Sequence, residues 1–515
     1  MKNRFLLLLL ACCFTGLLVS SCINDKGNYE YEDANKIMPV TISGVNDTTI
    51  MINTVLRIVP EVENANDGNY SYRWFVTPSV TAGSLPQRTI LSDESTLNVP
   101  IQLETGKYLL SFEVRDIERD VYVRQQVYLT VTASEINLGW YVLKDIDNET
   151  DFDYISTDGS IQRADVLLNK AIPSGRLKGT AVQMAFQPDR YFQQIKNADG
   201  TVTTLANQRA FHILSSEDIR TYEAGQMWLY KNYADQFYGL PENCKPQSIR
   251  YAVNAYDLFM VNDGKMYSIF GMMANIGKYS APKIGFYSLH KDMIVPGYST
   301  ALLFDLESSS FCYTDAYGAT LNPIDDENPA AVNPVGVSPN DMPYTLTDLL
   351  MRADQVMSAT AYAVMKDKSK EEYYLAGINF QAYMNPSAYP FLSFKAIPEG
   401  CKMPLAKVKA GAYSGNFIYF GDGNKLCVYW DAEGLDVREP VLKTYPANET
   451  ISYIAHMYSG YSPAYNYLVV LTNSASGWKM YVYNVKGLGN PEIDDEPAFV
   501  YSGTGNARYV MYRTK

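Results

Sequence analysis

The chain has 515 residues, of which 47% are hydrophobic, 13% aromatic and 19% charged, and its formal charge is -13. This composition is too apolar for a disordered chain. The acidic balance argues against binding to nucleic acid or to an anionic membrane surface, because both need a basic protein face. Only 3 histidines leave little material for a His-rich metal site, whereas 42 tyrosines are available for packing or ligand contact.

The amino terminus has the pattern of an exported protein. Two basic residues precede an apolar run that ends at Val19 and is too short to span a bilayer comfortably. The run leads into Leu-Val-Ser-Ser-Cys at 18–22, which resembles the lipobox of bacterial lipoproteins, in which the cysteine is acylated. We therefore expect a signal peptide at 1–21, lipidation of Cys22 and an acidic tether at 22–36. The alternative is an ordinary secretory signal with an incidental cysteine.

Residues 37–133 are predicted to form an immunoglobulin-like β-sandwich. Short β-prone runs alternate there with Asn, Asp and Gly turns, and Tyr72, Trp74 and Val76 share one face of a strand. A tryptophan in a mid-domain strand that packs on late strands is typical of this fold. Tyr-Arg-Trp at 72–74 and the Gly-x-Tyr-x-x-x-Phe-x-Val-x-Asp string at 106–116 resemble the PKD domain. That resemblance implies a spacer or a weak binding module.

Residues 134–515 repeat one pattern: an apolar strand, a Gly/Asn/Asp turn, and a strand that begins with lysine. The recurring lysines are Lys265, Lys425 and Lys479, at intervals of about 160 and about 54 residues. About seven units of this size predict a β-propeller of about seven blades, so that the predicted fold class is all-β. The terminal strand 508–512 is expected to pair with 140–143 and close the ring. The alternative is two further sandwiches.

Helical signals are few in this region. Ser-Glu-Asp-Ile-Arg at 216–220 and Thr-Asp-Leu-Leu-Met at 347–351 each begin with residues that cap helices well. The two segments predict short helical insertions.

Four cysteines follow Cys22, and an exported protein is able to oxidise them in any of three pairings. They are Cys244, Cys312, Cys401 and Cys427. Because Cys427 lies in an apolar run, we expect it to be a small buried residue rather than half of a disulfide.

Motifs for catalysis are missing from the sequence. It has no H-E-x-x-H, no G-x-S-x-G and no phosphate-binding loop, so that we expect no enzymatic activity. The oxygen-rich loop with Asp325, Asp326 and Glu327 is a candidate Ca²⁺ site, and a further acidic cluster spans 145–153. Both also fit solvated acidic loops, and we expect no other cofactor.

Two tyrosine clusters have turn-forming residues between the rings, which predicts loops. They contain Tyr383 and Tyr389, and Tyr458, Tyr461 and Tyr465. A tyrosine ring offers a flat apolar face and a polar tip, which suits stacking on a sugar or a peptide. We expect these five residues to contact a ligand, with packing inside the fold as the alternative.

The order of lipobox, acidic tether, PKD-like domain and long β region resembles the PKD-like lipoproteins of Bacteroidetes. That resemblance implies a non-catalytic component of a nutrient uptake system, anchored by lipid at the outer surface of the outer membrane. Its partners would be a TonB-dependent channel with its binding lipoprotein, and a glycan or peptide ligand, without nucleic acid. The alternatives are a polysaccharide hydrolase or lyase with paired carboxylates, and a scaffold that docks on the channel.

Overall fold

The computed structural model describes residues 38–51, 55–64, 69–79, 87–132, 136–196, 202–272, 277–326, 335–354, 358–381, 385–431 and 438–514. The predicted signal peptide, Cys22 and the tether lie outside these residues. The chain divides into two compact units, residues 1–133 and 134–515. The described part is almost entirely β-structure, which confirms the predicted all-β class. None of its helices is long and apolar enough to cross a membrane.

The first unit is an immunoglobulin-like arrangement of strands. Five of them form one sheet in the order β2-β9-β8-β5-β6, β1 pairs with β4, and β3 pairs with β7. The fully buried Trp74 stacks on Phe112 with ring centroids 4.2 Å apart, and its indole N–H donates to the Glu94 carbonyl at 3.1 Å. The predicted role of Trp74 is thereby confirmed. The strands are β1 (Thr41–Ser43), β2 (Thr48–Met51), β3 (Val55–Ile58), β4 (Glu61–Glu63), β5 (Tyr70–Pro78), β6 (Thr89–Ser92), β7 (Leu97–Pro100), β8 (Gly106–Asp116) and β9 (Val121–Thr132).

The described strands of the second unit form seven antiparallel sheets that follow one another along the chain. The first sheet contains β10 (Gly139–Ile146), β11 (Glu149–Ser156), β12 (Gln162–Arg163), β13 (Leu177–Lys178) and the terminal strand β36 (Asn506–Arg513). The second contains β14 (Ala181–Lys196), β15 (Val202–Ser215), β16 (Ile219–Glu223) and β17 (Leu229–Lys231). The third contains β18 (Pro246–Ala252), β19 (Asp257–Asn262) and β20 (Lys265–Ile269). The fourth contains β21 (Thr300–Asp305), β22 (Ser310–Asp315) and β23 (Asn322–Pro323).

The remaining three sheets have four strands each. The fifth contains β24 (Tyr344–Asp354), β25 (Ala359–Asp367), β26 (Tyr373–Phe380) and β27 (Phe391–Ala396). The sixth contains β28 (Lys409–Gly411), β29 (Phe417–Asp422), β30 (Lys425–Trp430) and β31 (Val441–Thr444). The seventh contains β32 (Thr450–Ser459), β33 (Tyr465–Ser474), β34 (Gly477–Asn484) and β35 (Phe499–Gly503). The helical segments of this unit are α1 (Val166–Asn169) and the 3-10 turns Tyr233–Asp235 and Met403–Leu405.

The hydrophobic core of the second unit lies between its sheets. Seven buried clusters are found among the described residues, and each joins one sheet to the next. For example, Tyr141 of the first sheet contacts Phe211 of the second, with ring centroids 4.9 Å apart. The cluster of Trp140, Val469 and Trp478 joins the seventh sheet back to the first. The packing order of the sheets is therefore cyclic.

Pairing of the two ends of this unit completes the first sheet. β36 is antiparallel to β10, with Trp140 opposite Tyr512 and Val142 opposite Val510. The rings of Trp140 and Tyr512 stack at 3.9 Å. The predicted pairing of the terminal strand is confirmed.

The three predicted hairpins are also confirmed, as β19–β20, β29–β30 and β33–β34. In the first, the turn residues Asp263 and Gly264 both have positive φ, of 48° and 69°. Positive φ at both central residues is the requirement of the turn type that matches the twist of paired strands. The Asn-Asp-Gly signal in the sequence therefore has a direct backbone cause.

The two helix predictions are wrong. Ser215 Oγ accepts the backbone N–H of Asp218 at 2.8 Å, so that the capping chemistry stabilises a turn, and 219–223 continues as β16. Residues 347–351 lie inside β24, which pairs along its length with β25.

In the acidic cluster at 145–153, Asp145, Asp151 and Asp153 are buried instead of solvated, whereas Asp147 is exposed. Asp151 accepts the Leu167 N–H at 2.8 Å at the start of α1, and burial raises the pKa of Asp151 to about 6. Asp153 forms an ion pair with the buried Lys144 at 2.7 Å and accepts the indole N–H of Trp478 at 3.2 Å. These carboxylates therefore join the first sheet to α1 and to the seventh sheet.

All four cysteines named above are free thiols in the structure. Cys427 is 4% exposed and packs between the fifth and sixth sheets, which confirms the prediction of a small buried residue.

Closure of the second unit is testable at Val510, which is 1% exposed. We expect Val510→Asp to lower the free energy of unfolding by about 3 kcal/mol or more, because it buries a carboxylate in an apolar cluster. Val500→Asp is the matched control, since Val500 is 50% exposed on β35, and its effect should stay within about 0.5 kcal/mol. Urea unfolding followed by fluorescence measures both, and equal losses would contradict the importance of closure.

A pH dependence is expected from His212, which is fully buried in β15. Its Nδ1 lies 3.0 Å from Thr221 Oγ1 and its Nε2 lies 3.3 Å from Gln187 Oε1. Burial, with a smaller contribution from the nearby Lys231, lowers the pKa of His212 to about 3. Because the unfolded chain binds this proton from about pH 6.5 downwards, the stabilisation is present above that pH and is lost as the pH falls.

Between pH 7 and pH 5, His212 should account for a loss of about 2 kcal/mol in the free energy of unfolding. His212→Gln removes the titrating group, and the acid-induced loss should shrink by this amount. Urea unfolding of both proteins at the two pH values measures the difference. An unchanged acid loss in the variant would show that His212 does not titrate in this way.

Candidate ligand-binding cavity

One cavity of the second unit, with a volume of about 660 Å³, is lined by six of the seven sheets and by a segment next to the fourth. Its wall consists mainly of edge strands, namely β14, β18, β24, β28, β32 and β36. Next to the fourth sheet, the wall includes the segment 291–293, which adjoins the isolated bridge between Ile294 and Leu302. The cavity therefore lies where the inner edges of the sheets meet.

Two pairs of tyrosines lie in the wall around the β32–β33 hairpin. Tyr413 and Tyr458 have ring centroids 4.4 Å apart, and Tyr465 and Tyr512 have centroids 5.2 Å apart. The hairpin brings the pairs together because Ser459, next to Tyr458, is directly opposite Tyr465. The region offers flat apolar surfaces with hydroxyl groups, which suit a ligand with both apolar and polar faces.

His456 lies beside these tyrosines and is held in one tautomer. Its Nδ1 accepts the backbone N–H of Tyr413 at 3.0 Å, so Nε2 carries the hydrogen and donates to Asn466 Oδ1 at 2.8 Å. Burial, together with the nearby Arg352, lowers the pKa of His456, while the Asn466 bond opposes this shift. Since both ring nitrogens are occupied, His456 acts as a neutral structural residue of the wall.

The charged groups of the wall are mostly basic. It contains six basic side chains and two acidic ones, although the whole chain has a charge of -13. The basic residues are Arg250, Lys291, Arg352, Lys407, Lys409 and Arg508.

Three of these cations are neutralised by carboxylates. Lys409 Nζ lies 2.8 Å from Asp348 and Lys291 Nζ lies 2.7 Å from Asp292, which accounts for both acidic residues of the wall. Arg508 Nε lies 2.6 Å from Asp145, a buried residue behind the wall.

The other three cations have no ion pair within the part of the chain that the structure describes. Arg352 donates to the backbone carbonyls of Ala412, at 2.7 Å, and Gly415, and its guanidinium lies 4.5 Å from the ring of Tyr362. For Arg250 and Lys407 the described residues provide neither a hydrogen-bond partner nor an ion-pair partner. The wall thus contains three positive charges without a carboxylate partner.

The predicted ligand-binding tyrosines are only partly brought together. Tyr458 and Tyr465 line the cavity, at strand ends instead of in a loop, and Tyr461 is 81% exposed in the turn between them. Tyr389 lies outside the cavity wall: it packs edge-on against Phe391 and donates its hydroxyl hydrogen to the Val337 carbonyl. Tyr383 lies outside the described residues.

The candidate Ca²⁺ loop is described only in part, because Glu327 lies outside the described residues. The Asp325 N–H donates to the Ser387 carbonyl at 3.0 Å, and Asp326 accepts a hydrogen bond from Ser338. No group of three or more His, Cys, Asp or Glu suited to a metal ion occurs in the described ranges. The Ca²⁺ site stays a prediction.

Sequence reasoning missed most of the cavity wall, including Arg250, Arg352, Lys407, Tyr413 and Tyr512. One sequence signal for these residues was available, namely their position along the chain. In most of the seven sheets, the strand that lines the cavity comes directly before a hairpin. For example, β18, with Arg250, comes immediately before the predicted hairpin β19–β20.

A PKD-like domain is found in the first part of the chain, where residues 22–177 match the model of the PKD-like family. The match includes all nine strands of the first unit and continues into the first sheet of the second unit, as far as β13. A comparison with curated proteins finds no match. One similar solved structure is a crystal structure of the eukaryotic initiation factor, with 9% identity and a TM-score of 0.28, over 85% of this chain and 97% of that chain. A likeness at this level carries no argument about fold or function.

Proposed function

We propose that the protein is a non-catalytic binding protein whose second unit is a seven-bladed β-propeller that holds a glycan in its central cavity. The observation that carries the proposal is the cavity itself, where seven edge segments meet and two tyrosine pairs lie in the wall. Its volume falls within the range of small-ligand sites. The cyclic packing of seven sheets and the β36–β10 pairing support the propeller interpretation.

The alternative of a polysaccharide hydrolase or lyase needs two carboxylates with different protonation states. Asp292 and Asp348 are the two carboxylates of the described wall, and each is paired with a lysine ammonium. Each of these two carboxylates therefore already has a cationic partner, so the described wall contains no unpaired carboxylate pair for such chemistry. The wall therefore supports binding better than acid–base catalysis.

The cellular setting of the proposal rests on the amino-terminal pattern and on the PKD-like match at 22–177. A lipid on Cys22 would anchor the chain at the outer membrane, and the first unit would act as a spacer. The proposed partners are a TonB-dependent uptake channel and its binding lipoprotein. A scaffold that only docks on that channel is the remaining alternative.

The test uses the chain from residue 22 with Cys22→Ser, so that no lipid is attached, on arrays of glycans and peptides followed by calorimetry. We expect glycan binding without product formation, and an affinity at least tenfold lower in Tyr458→Ala and in Tyr465→Ala, because each removes one ring of a contacting tyrosine pair in the wall. Tyr461→Ala is the matched control and should bind like the parent chain, since this ring is exposed in the turn.

Three outcomes would overturn the proposal. They are the absence of glycan binding, turnover that is abolished by Asp292→Asn or Asp348→Asn, and binding to channel components alone. Melting temperatures of the tyrosine variants within a few degrees of the parent exclude unfolding as the cause of weaker binding.

A further inference from the structure

The charge of the cavity wall specifies the ligand more closely than the tyrosines do. An acidic chain has six basic and only two acidic side chains around this one cavity. If the basic groups served only to stabilise the fold, each would be expected to meet a carboxylate or a set of backbone carbonyls. Lys291, Lys409 and Arg508 meet carboxylates and Arg352 meets two backbone carbonyls, but Arg250 and Lys407 meet neither among the described residues.

Arg352 is the most ordered of the cations without a carboxylate. Two backbone carbonyls and the face of the Tyr362 ring hold its guanidinium. It forms no ion pair with a carboxylate of the described residues, although Asp431 lies near enough to act on its charge. A guanidinium has five N–H donors in a fixed fork, so donors remain for a further acceptor. Burial lowers the pKa of Arg352, but a guanidinium is so basic that the side chain stays charged at neutral pH.

Arg250 approaches the cavity from β18 of the third sheet, and Lys407 approaches it from the segment that precedes β28. Arg250 is half-buried, and the phenol of Tyr453, also in the wall, lies close enough to feel its charge. Lys407 is exposed. Positive charges on separate elements around one cavity suit a ligand with several negative groups, because each group can approach a different cation.

We propose that the ligand is an anionic saccharide with carboxylate or sulfate groups, an inference that rests on the proposed glycan-binding function. The tyrosine pairs would contact the sugar faces, and Arg250, Arg352 and Lys407 would bind the acidic groups. The chain's overall negative charge disfavours long polyanions such as nucleic acids, which cannot place all of their charge in the cavity.

The experiment compares three oligosaccharides of equal length with the lipid-free chain: a neutral one, one built of uronic acids, and one bearing sulfate esters. We expect at least one acidic oligosaccharide to bind tenfold or more tightly than the neutral one. Its affinity should fall as salt rises from 0.05 to about 0.5 M, because salt screens charge pairs. The acidic ligand with the higher affinity identifies the anionic group.

Single substitutions identify the side chains that cause the preference for acidic oligosaccharides. Arg250→Gln and Lys407→Gln should each weaken acidic ligands about tenfold and leave the neutral oligosaccharide unchanged, and Arg250→Lys should restore part of the loss. Arg57→Gln, at an exposed site in the first unit, is the charge-matched control and should change nothing. Arg352→Gln is measured only if its melting temperature equals that of the parent, since it also loses the two carbonyl contacts.

The outcomes separate this inference from the function on which it rests. Equal affinity for neutral and acidic oligosaccharides, or equal loss for both in Arg250→Gln, overturns the anionic ligand while glycan binding stands. Failure of all three oligosaccharides to bind overturns both.

Discussion

The antiparallel pairing of β36 with β10 is the constraint on which the second unit depends. It joins segments more than 360 residues apart in the sequence, and it gives the first sheet its inner edge. The cluster that packs the seventh sheet on the first also contains residues of β36. Because Arg508 and Tyr512 lie on this strand, one side of the cavity exists only when the two ends have met.

Burial of charge follows from the same arrangement. Asp153, Lys144 and Trp478 form a contact between the first and seventh sheets, which a solvated acidic loop could not provide. A buried ion pair is favourable only when its groups have further partners. Here Asp153 also accepts the Asp165 N–H and the Trp478 indole N–H, and Lys144 lies 3.1 Å from a second carboxylate, that of Asp165. Some of the chain's acidic residues therefore stabilise the contact between the first and seventh sheets. The cavity wall, by contrast, contains mainly basic side chains.

Local signals predicted the fold well, and long-range assembly explains what they missed. The hairpins β19–β20 and β29–β30 were predictable because their two-residue turns, Asp263-Gly264 and Gly423-Asn424, fix the backbone within four residues. The helix at 216–220 was wrongly predicted because a serine that caps a helix also stabilises a turn, and only pairing with β15 decides between them. Two tyrosines of the wall, Tyr458 and Tyr465, were found from their cluster. Arg250 and Arg352 were not found from the sequence, because they lie on different sheets and only the folded chain brings them to one cavity.

The use of edge strands as a wall has a chemical consequence for the ligand. An edge strand presents N–H and C=O groups that its own sheet does not pair, and in most proteins such edges are covered or charged to prevent association. Here the edges of β18, β24, β28 and β32 face one common cavity. Their unpaired groups need partners there, either water or a ligand. A ligand rich in hydroxyl and acidic groups can replace that water bond for bond, whereas an apolar ligand would leave the groups unsatisfied at a cost of about 1–3 kcal/mol each. The backbone of the wall and its cations therefore favour the same class of molecule.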